Sequence, residues 1–160
     1  MTPTQHNDRE GPGDGTPLPD GVTIRQALPT DAAAIHALLR PYVMHQLLLA
    51  RTEAEVIELT RHGFVAVRED QAKLVGFAAI EVYSPKLAEL QCLAVIREYQ
   101  GSGIGRALVR QTVSRARSLG VMEVLAISSS EDFFKECGFD YSLPDQKKAL
   151  FCKLRPRPKE

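Results

Sequence analysis

The segment Gln100-Gly101-Ser102-Gly103-Ile104-Gly105-Arg106 carries the strongest chemical signal in the chain. Glycines let the backbone approach a ligand closely, and unpaired N–H groups at a helix start bind anions, so this spacing points to a pyrophosphate. Two nucleotide readings fail on the residues themselves. A P-loop needs Lys followed by Ser or Thr after the last glycine, where Arg106 and Ala107 stand, and the dinucleotide fingerprint needs a glycine at the position of Arg106. A glycine-rich connection without a ligand is the remaining alternative. Upstream, alternation places Glu89, Gln91 and Leu93 on one face of a strand and makes Glu89 a candidate general base. A charged residue at the strand's solvated start is the other reading of Glu89. Cys92 has no histidine paired with it in a recognisable motif and reads as a buried strand cysteine rather than a nucleophile. His36, His45 and His62 show no metal spacing, and no metal site is expected.

These residues need elements to position them. Val22, Ile24 and Ala27 suggest a short strand ending at Pro29, and Thr30 or Asp31 can cap a helix carrying Ala34, Ile35, Leu38 and Leu39, which Pro41 ends or bends. Thr52 and Glu55 make a capping box for a second helix, with Gly63 closing it. Phe64–Arg68 and Leu74–Tyr83 read as a hairpin, followed by a strand over Leu87–Val95. A helix from about Gly103 to Leu119 presents Ile104, Leu108, Thr112 and Ala116 on one face, and Gly120 stops it. Val121–Ile127 has the continuous apolar character of a buried central strand. Phe133–Cys137 suggests a short helix, and the residues to about Leu154 are expected to supply one or two edge strands. The order predicts an α/β fold, an α+β mixed sheet with helices on both faces.

Composition bounds the function classes. The 160 residues suit one domain, and 44% hydrophobic with 25% charged residues is the balance of a globular protein. Lys+Arg and Asp+Glu both number 20, so no global basic field attracts nucleic acid. No apolar stretch nears the ~20 residues of a membrane span. The three cysteines, Cys92, Cys137 and Cys152, form no close pair, so a disulfide framework is not expected and a reducing cytoplasm is. Residues 1–21 are rich in Pro, Gly and Asp and are expected to form a flexible tail, residues 22–155 the domain, and residues 156–160 a basic end.

Gln100, Gly103 and Gly105, preceded by Leu93-Ala94-Val95 and followed by Phe133-Phe134 and Gly138-Phe139, resemble the acetyl-CoA signature of the GCN5-related N-acetyltransferase (GNAT) family over nearly the whole chain from Val22. Leu47–Arg51, Ala88–Val95, Leu143-Pro144 and Lys147-Lys148 narrow the resemblance to the acetyltransferase domain of bacterial N-acetylglutamate synthases, in a short stand-alone form. The resemblance implies a mostly antiparallel sheet with one splayed parallel strand pair, and a bulge near Cys92 and Leu93. It implies acetyl-CoA as co-substrate, with Leu93, Ala94 and Val95 along the pantetheine arm. Gly101, Ser102, Gly103, Ile104, Gly105 and Arg106 would hold the pyrophosphate through their amides, with Gln100 and Phe134 beside them.

In the same reading the Leu93 N–H is a donor to the thioester oxygen. Many relatives place a Tyr where Phe134 stands, and Phe has no proton to give a leaving thiolate. Tyr99 and Tyr141 have no supporting spacing as substitutes and read as packing residues. A glutamate acceptor brings two carboxylates, which Arg51 and Lys148 would meet, with Lys147 and Lys153 as weaker anchors and Ser128, in the run Ser128–Ser130, as a further contact. The expected reaction is direct attack of an amino acid's α-amine, that of L-glutamate, on the thioester, in arginine biosynthesis. Another small amine, a protein N-terminus, or a non-catalytic acetyl-CoA-binding regulatory module are the alternatives. A small-molecule amine is the expected partner, with no nucleic acid and no membrane, and the protein is expected to be a monomer or a homodimer.

Overall fold

The structure, a computed structural model, describes residues 15–144 and 149–156. Five strands form one sheet in sequential order: β1 (Val22–Gln26), β2 (Gly63–Arg68), β3 (Lys73–Ser84), β4 (Leu87–Val95) and β5 (Glu123–Ala126). The first four pair antiparallel, and β4 and β5 pair parallel across a helical crossover. The helices are α1 (Ala32–Met44), α2 (Glu53–Thr60), α3 (Ile104–Ser118) and α4 (Glu131–Glu136). The mixed sheet expected from the element order is therefore present.

Both faces of the sheet are covered. On one, Ile35, Leu38, Leu39, Val56 and Leu59 of α1 and α2 pack against Val65, Val67, Phe77, Ala79, Cys92 and Ala94. On the other, Ile104 and Leu108 of α3 meet Val22, Ala66, Val75, Ala78 and Val95. The alternation along β2 and β3 follows from their burial on two faces, period two on each.

Local chemistry sets the helix ends. The Thr52 hydroxyl accepts from the Glu55 N–H at 3.2 Å, and the Glu55 carboxylate accepts from the Thr52 N–H at 2.7 Å, the reciprocal box expected from their spacing. Pro41 does not end α1. The helix runs a further turn to Met44, held by the His45 N–H on the Pro41 carbonyl at 3.0 Å. Gly63 is no helix stop either, since α2 ends at Thr60 and Gly63 opens β2. A Cβ there would lie 2.9 Å from both the Leu59 carbonyl and the Phe77 ring, so the close approach of helix and strand requires glycine.

Two expectations about the ends need correction. β5 is the last strand of the sheet and half-exposed, not a buried central strand. Among the described residues after α4 no strand forms, and Leu150 and Leu154 are 93% and 87% exposed. The apolar run of β5 is spent on the β4 contact and one face only, with no described strand on its far side. Of the residues expected to form a tail, 1–14 lie outside the described residues; among 15–21, Leu18 packs against the α3-side core and the Asp20 carbonyl accepts from Arg68 at 3.2 Å.

Asp31 is the polar anchor at the start of α1. Its carboxylate accepts from both Arg25 guanidinium nitrogens, at 2.8 and 2.9 Å, and from the Leu28 N–H at 2.8 Å. The Arg25 bonds chiefly, with the Leu28 N–H, hold the carboxyl below the usual range against the opposing effect of burial. A carboxyl depressed in the folded state stabilises the fold above its unfolded value, near pH 4, and that contribution is lost as pH falls through the folded value. Asp31→Asn is expected to lower unfolding free energy at pH 7 by about 1 kcal/mol, a figure reduced for the partial exposure of Arg25. The difference from the parent chain shrinks below about pH 4 in urea titrations.

Candidate active site

The site begins with a fault in β4. Cys92 has φ +57°, in the left-handed region, and the β3–β4 register shifts between Phe77 and Ala79. The extra residue is a bulge, which places Cys92 and Ala94 on the α1–α2 face and turns Leu93 and Val95 to the α3 face. Glu89 and Gln91 therefore share a face as alternation predicts, and Leu93 does not.

Past the bulge the parallel pair separates. β4 and β5 are in register from Leu87 to Leu90 only, so the β5-side backbone of Gln91–Val95 has no strand partner among the described residues. A cavity of about 590 Å³ fills the gap. Leu93, Ala94 and Val95 line one wall, Ser128–Ser130, Phe133 and Phe134 the other, and Gln100, Gly101, Gly103, Gly105 and Arg106 the far end. This matches a long acyl carrier with a pyrophosphate at one end: peptide groups run along the wall and the α3 N-terminus closes the cavity.

The glycine loop is held from outside. Gln100 Nε2 donates to the Val95 carbonyl at 3.0 Å and to the Tyr42 hydroxyl at 3.1 Å, and Tyr42 itself donates to that carbonyl. Ser102 donates to the Tyr99 carbonyl, and Ile104 is fully buried in the α3-side core. Neither side chain faces the cavity, leaving only their backbones toward a ligand. Arg106 lines the cavity and pairs with Glu136 of α4. Phe134 stacks edge-on against Phe133 and Phe139, with ring centroids 5.2 and 5.3 Å apart, as an aromatic wall.

On the α1–α2 face a second cavity, of about 400 Å³, adjoins β4 and is lined by Arg51, Glu55, Arg61, Glu81 and Gln91 among others. Arg51 Nη2 donates to Gln91 Oε1 at 2.7 Å, and its buried Nε has no hydrogen-bond partner among the described residues. Gln91 Nε2 donates to Glu81 Oε2 at 2.6 Å and to the Tyr83 hydroxyl at 3.1 Å, and Tyr83 donates to Glu89. Burial, then Glu89, pushes the Tyr83 phenol up to about 12, which keeps it a donor. Burial also raises the Cys92 thiol, against the pull of Arg51, so Cys92 is a poor nucleophile.

Arg51, Glu89 and Gln91 are thus brought together, and Ser128 stands on the cavity side. Lys147 and Lys148 lie outside the described residues, and Lys153 is exposed at the described C-terminal end. Sequence reasoning missed Tyr42, Glu81 and Tyr83. The short Pro85–Lys86 turn between two strand runs is the signal that sets Glu81 opposite Glu89; Tyr42 meets Val95 across 53 residues and leaves no local trace.

Residues 32–139 match the Acetyltransferase (GNAT) family. The chain belongs to the GNAT acetyltransferase family. It is an N-acetyltransferase using acetyl-CoA as co-substrate, on the GNAT fold. An uncharacterized N-acetyltransferase of Chlorobaculum tepidum is 35% identical over 116 residues, 72% of this chain and 74% of that protein. An amino-acid acetyltransferase of Enterobacter sp. is 28% identical over 89% of this chain, which spans about a third (33%) of that relative. Among solved GNAT structures, Rv2747 from Mycobacterium tuberculosis, in complex with CoA and NLQ, superposes with TM-score 0.68 at 30% identity, covering 72% of this chain and 70% of that one. The N-acetylglutamate synthase from Neisseria gonorrhoeae, complexed with coenzyme A and N-acetyl-glutamate, gives TM-score 0.66 at 29% identity over 72% of this chain and 27% of that one.

Gly103 caps α3 at φ +89°, and a Cβ there would lie 3.0 Å from the Thr16 side chain. A left-handed residue with a Cβ costs about 1–2 kcal/mol, so Gly103→Ala is expected to weaken coenzyme A binding about tenfold by calorimetry. The rest of the fold should keep its thermal midpoint within a few degrees.

Proposed function

We propose that the acceptor is the α-amine of an amino acid, L-glutamate, acetylated in the cytoplasm as a step of arginine biosynthesis. The observation that carries this reading is the buried Arg51 Nε, which has no hydrogen-bond partner among the described residues and belongs to the cavity on the α1–α2 side of β4. A guanidinium N–H desolvated and unmatched costs free energy until an acceptor meets it, and a substrate carboxylate is the matching group. The amino-acid acetyltransferase relatives and the N-acetyl-glutamate complex of the gonococcal synthase support the same choice.

Acetyl-CoA supplies an electrophilic thioester carbonyl. The Leu93 N–H at the bulge donates to its oxygen, and the backbones of Leu93, Ala94 and Val95 hold the arm that carries it. The amides from Gly101 to Arg106 bind the pyrophosphate, with Gln100 fixing the loop and Phe134 walling the cleft. Glu89 takes the proton of the incoming amine, and Ser128 faces the reacting end. Arg51 holds a substrate carboxylate, and Lys148 keeps its place as a second anchor on motif position alone.

Initial rates of thiol release with a panel of amino acids test the reading. Arg51→Ala should raise the KM for glutamate about tenfold or more and leave that for acetyl-CoA within about twofold, the signature of a lost charge-assisted hydrogen bond to the acceptor. Glu89→Gln should lower kcat about a hundredfold. Turnover of another amine but not glutamate, or an Arg51→Ala enzyme with unchanged glutamate KM, contradicts the assignment.

A further inference from the structure

Glu81 and Glu89 are direct cross-strand partners in the β3–β4 hairpin. Like charges placed opposite one another destabilise a sheet, and among the described residues neither carboxylate forms an ion pair with a Lys, Arg or His. What lies between them is a set of neutral donors. Gln91, only 6% exposed, donates to Glu81 at 2.6 Å and lies 3.5 Å from Glu89, and Tyr83 donates to Glu89. The orientation of that amide is set from behind, because Arg51 occupies its oxygen and so turns both amide protons toward the carboxylates. Two anions held together by neutral donors leave their charge for a cation from outside, and Glu81 is exposed.

We propose that Glu81 is a second carboxylate of the acceptor site, holding the amine as its ammonium beside Glu89, with Gln91 as the residue that positions the pair. This rests on the reading of Glu89 as the base. Arg51, Gln91 and the Glu81–Glu89 pair then form a row ordered cation, amide, anions. The row complements an α-amino acid zwitterion, whose carboxylate and ammonium sit on one carbon. The other charged groups facing this row are Glu55 at the start of α2, Glu58 within it, and Arg61 and His62 just after it.

The chemistry balances without a further reactant. One ammonium N–H bond breaks and its proton passes to Glu89. The freed lone pair forms the C–N bond to the thioester carbonyl carbon, and the C–S electrons leave on sulfur. A second amine proton neutralises the thiolate, and the third stays on the amide product.

Glu81→Gln keeps the shape and an acceptor oxygen while removing one charge, and its thermal midpoint and coenzyme A affinity report whether the fold is intact. The expected result is a KM for glutamate raised about tenfold or more with an unchanged KM for acetyl-CoA. The acid limb of kcat/KM should also move to lower pH, because the remaining carboxylate has lost a like charge beside it. Glutarate, which has both carboxylates and no amine, should inhibit Glu81→Gln as well as it inhibits the parent enzyme, and Glu81→Asp should recover part of the lost affinity. An unmoved glutamate KM and pH profile overturns the proposal, as does glutarate inhibition weakened as much as glutamate binding. Glu89→Gln separates the two readings. Loss of kcat there beside a silent Glu81→Gln overturns the ammonium site alone, whereas full kcat in Glu89→Gln overturns the base.

Discussion

At Cys92 the backbone of β4 takes one residue more than β3 can pair, and the rest of the site follows from that mismatch. A regular β4 would keep both ladders to its end and leave no cleft. With the bulge, pairing to β5 stops at Leu90 while the β3 ladder resumes through Ala94, so the peptide groups of Gln91–Val95 are released on one side. An inserted residue also bends a strand and inverts which face each later side chain meets. Leu93 and Val95 then join the α3-side core and Cys92 and Ala94 the opposite one, so burial on both faces holds the distortion in place.

Cys92–Val95 line the first cavity and Gln91 the second, so the bulge stands between the two. The cleft side offers backbone groups, a glycine loop and an aromatic wall, which suit a long thioester carrier. The α1–α2 side offers fixed charge: a guanidinium, an amide and two carboxylates in sequence. Tyr42 ties the first side together at Val95, and His36 steadies the second through a 3.0 Å bond to the Arg51 carbonyl. Both tethers come from α1, so that helix links the two sides.

Much of this was legible in the residues. The Thr52–Glu55 box, the glycine loop at the mouth of α3, and the sheet class rest on local rules of capping, turn geometry and periodicity, which operate over a few residues. The bulge is different. Nothing in Gln91-Cys92-Leu93 announces a left-handed residue, and it was expected only from the family resemblance. Alternation therefore misplaced Leu93, and it could not show that Glu81 and Tyr83 face Glu89 across a hairpin. Gly63 reads as a helix stop but opens β2, where packing demands a bare Cα, and of the two readings of Pro41, an end or a bend, the end fails because α1 runs on to Met44. The strands expected after α4 are absent from the described residues, where the exposed Leu150, Phe151 and Leu154 have no sheet to join.

The central claim is that the released backbone of β4 presents a thioester to an amine bound on the charged face. Incubation with acetyl-CoA and ¹⁵N-labelled L-glutamate, followed by proton–nitrogen correlation, tests it directly, because acetylation converts a fast-exchanging ammonium into an amide N–H that gives a correlated signal. This signal is expected to grow in step with released thiol and to need both substrates. Thiol released without an amide signal, or no thiol released at all, would contradict it.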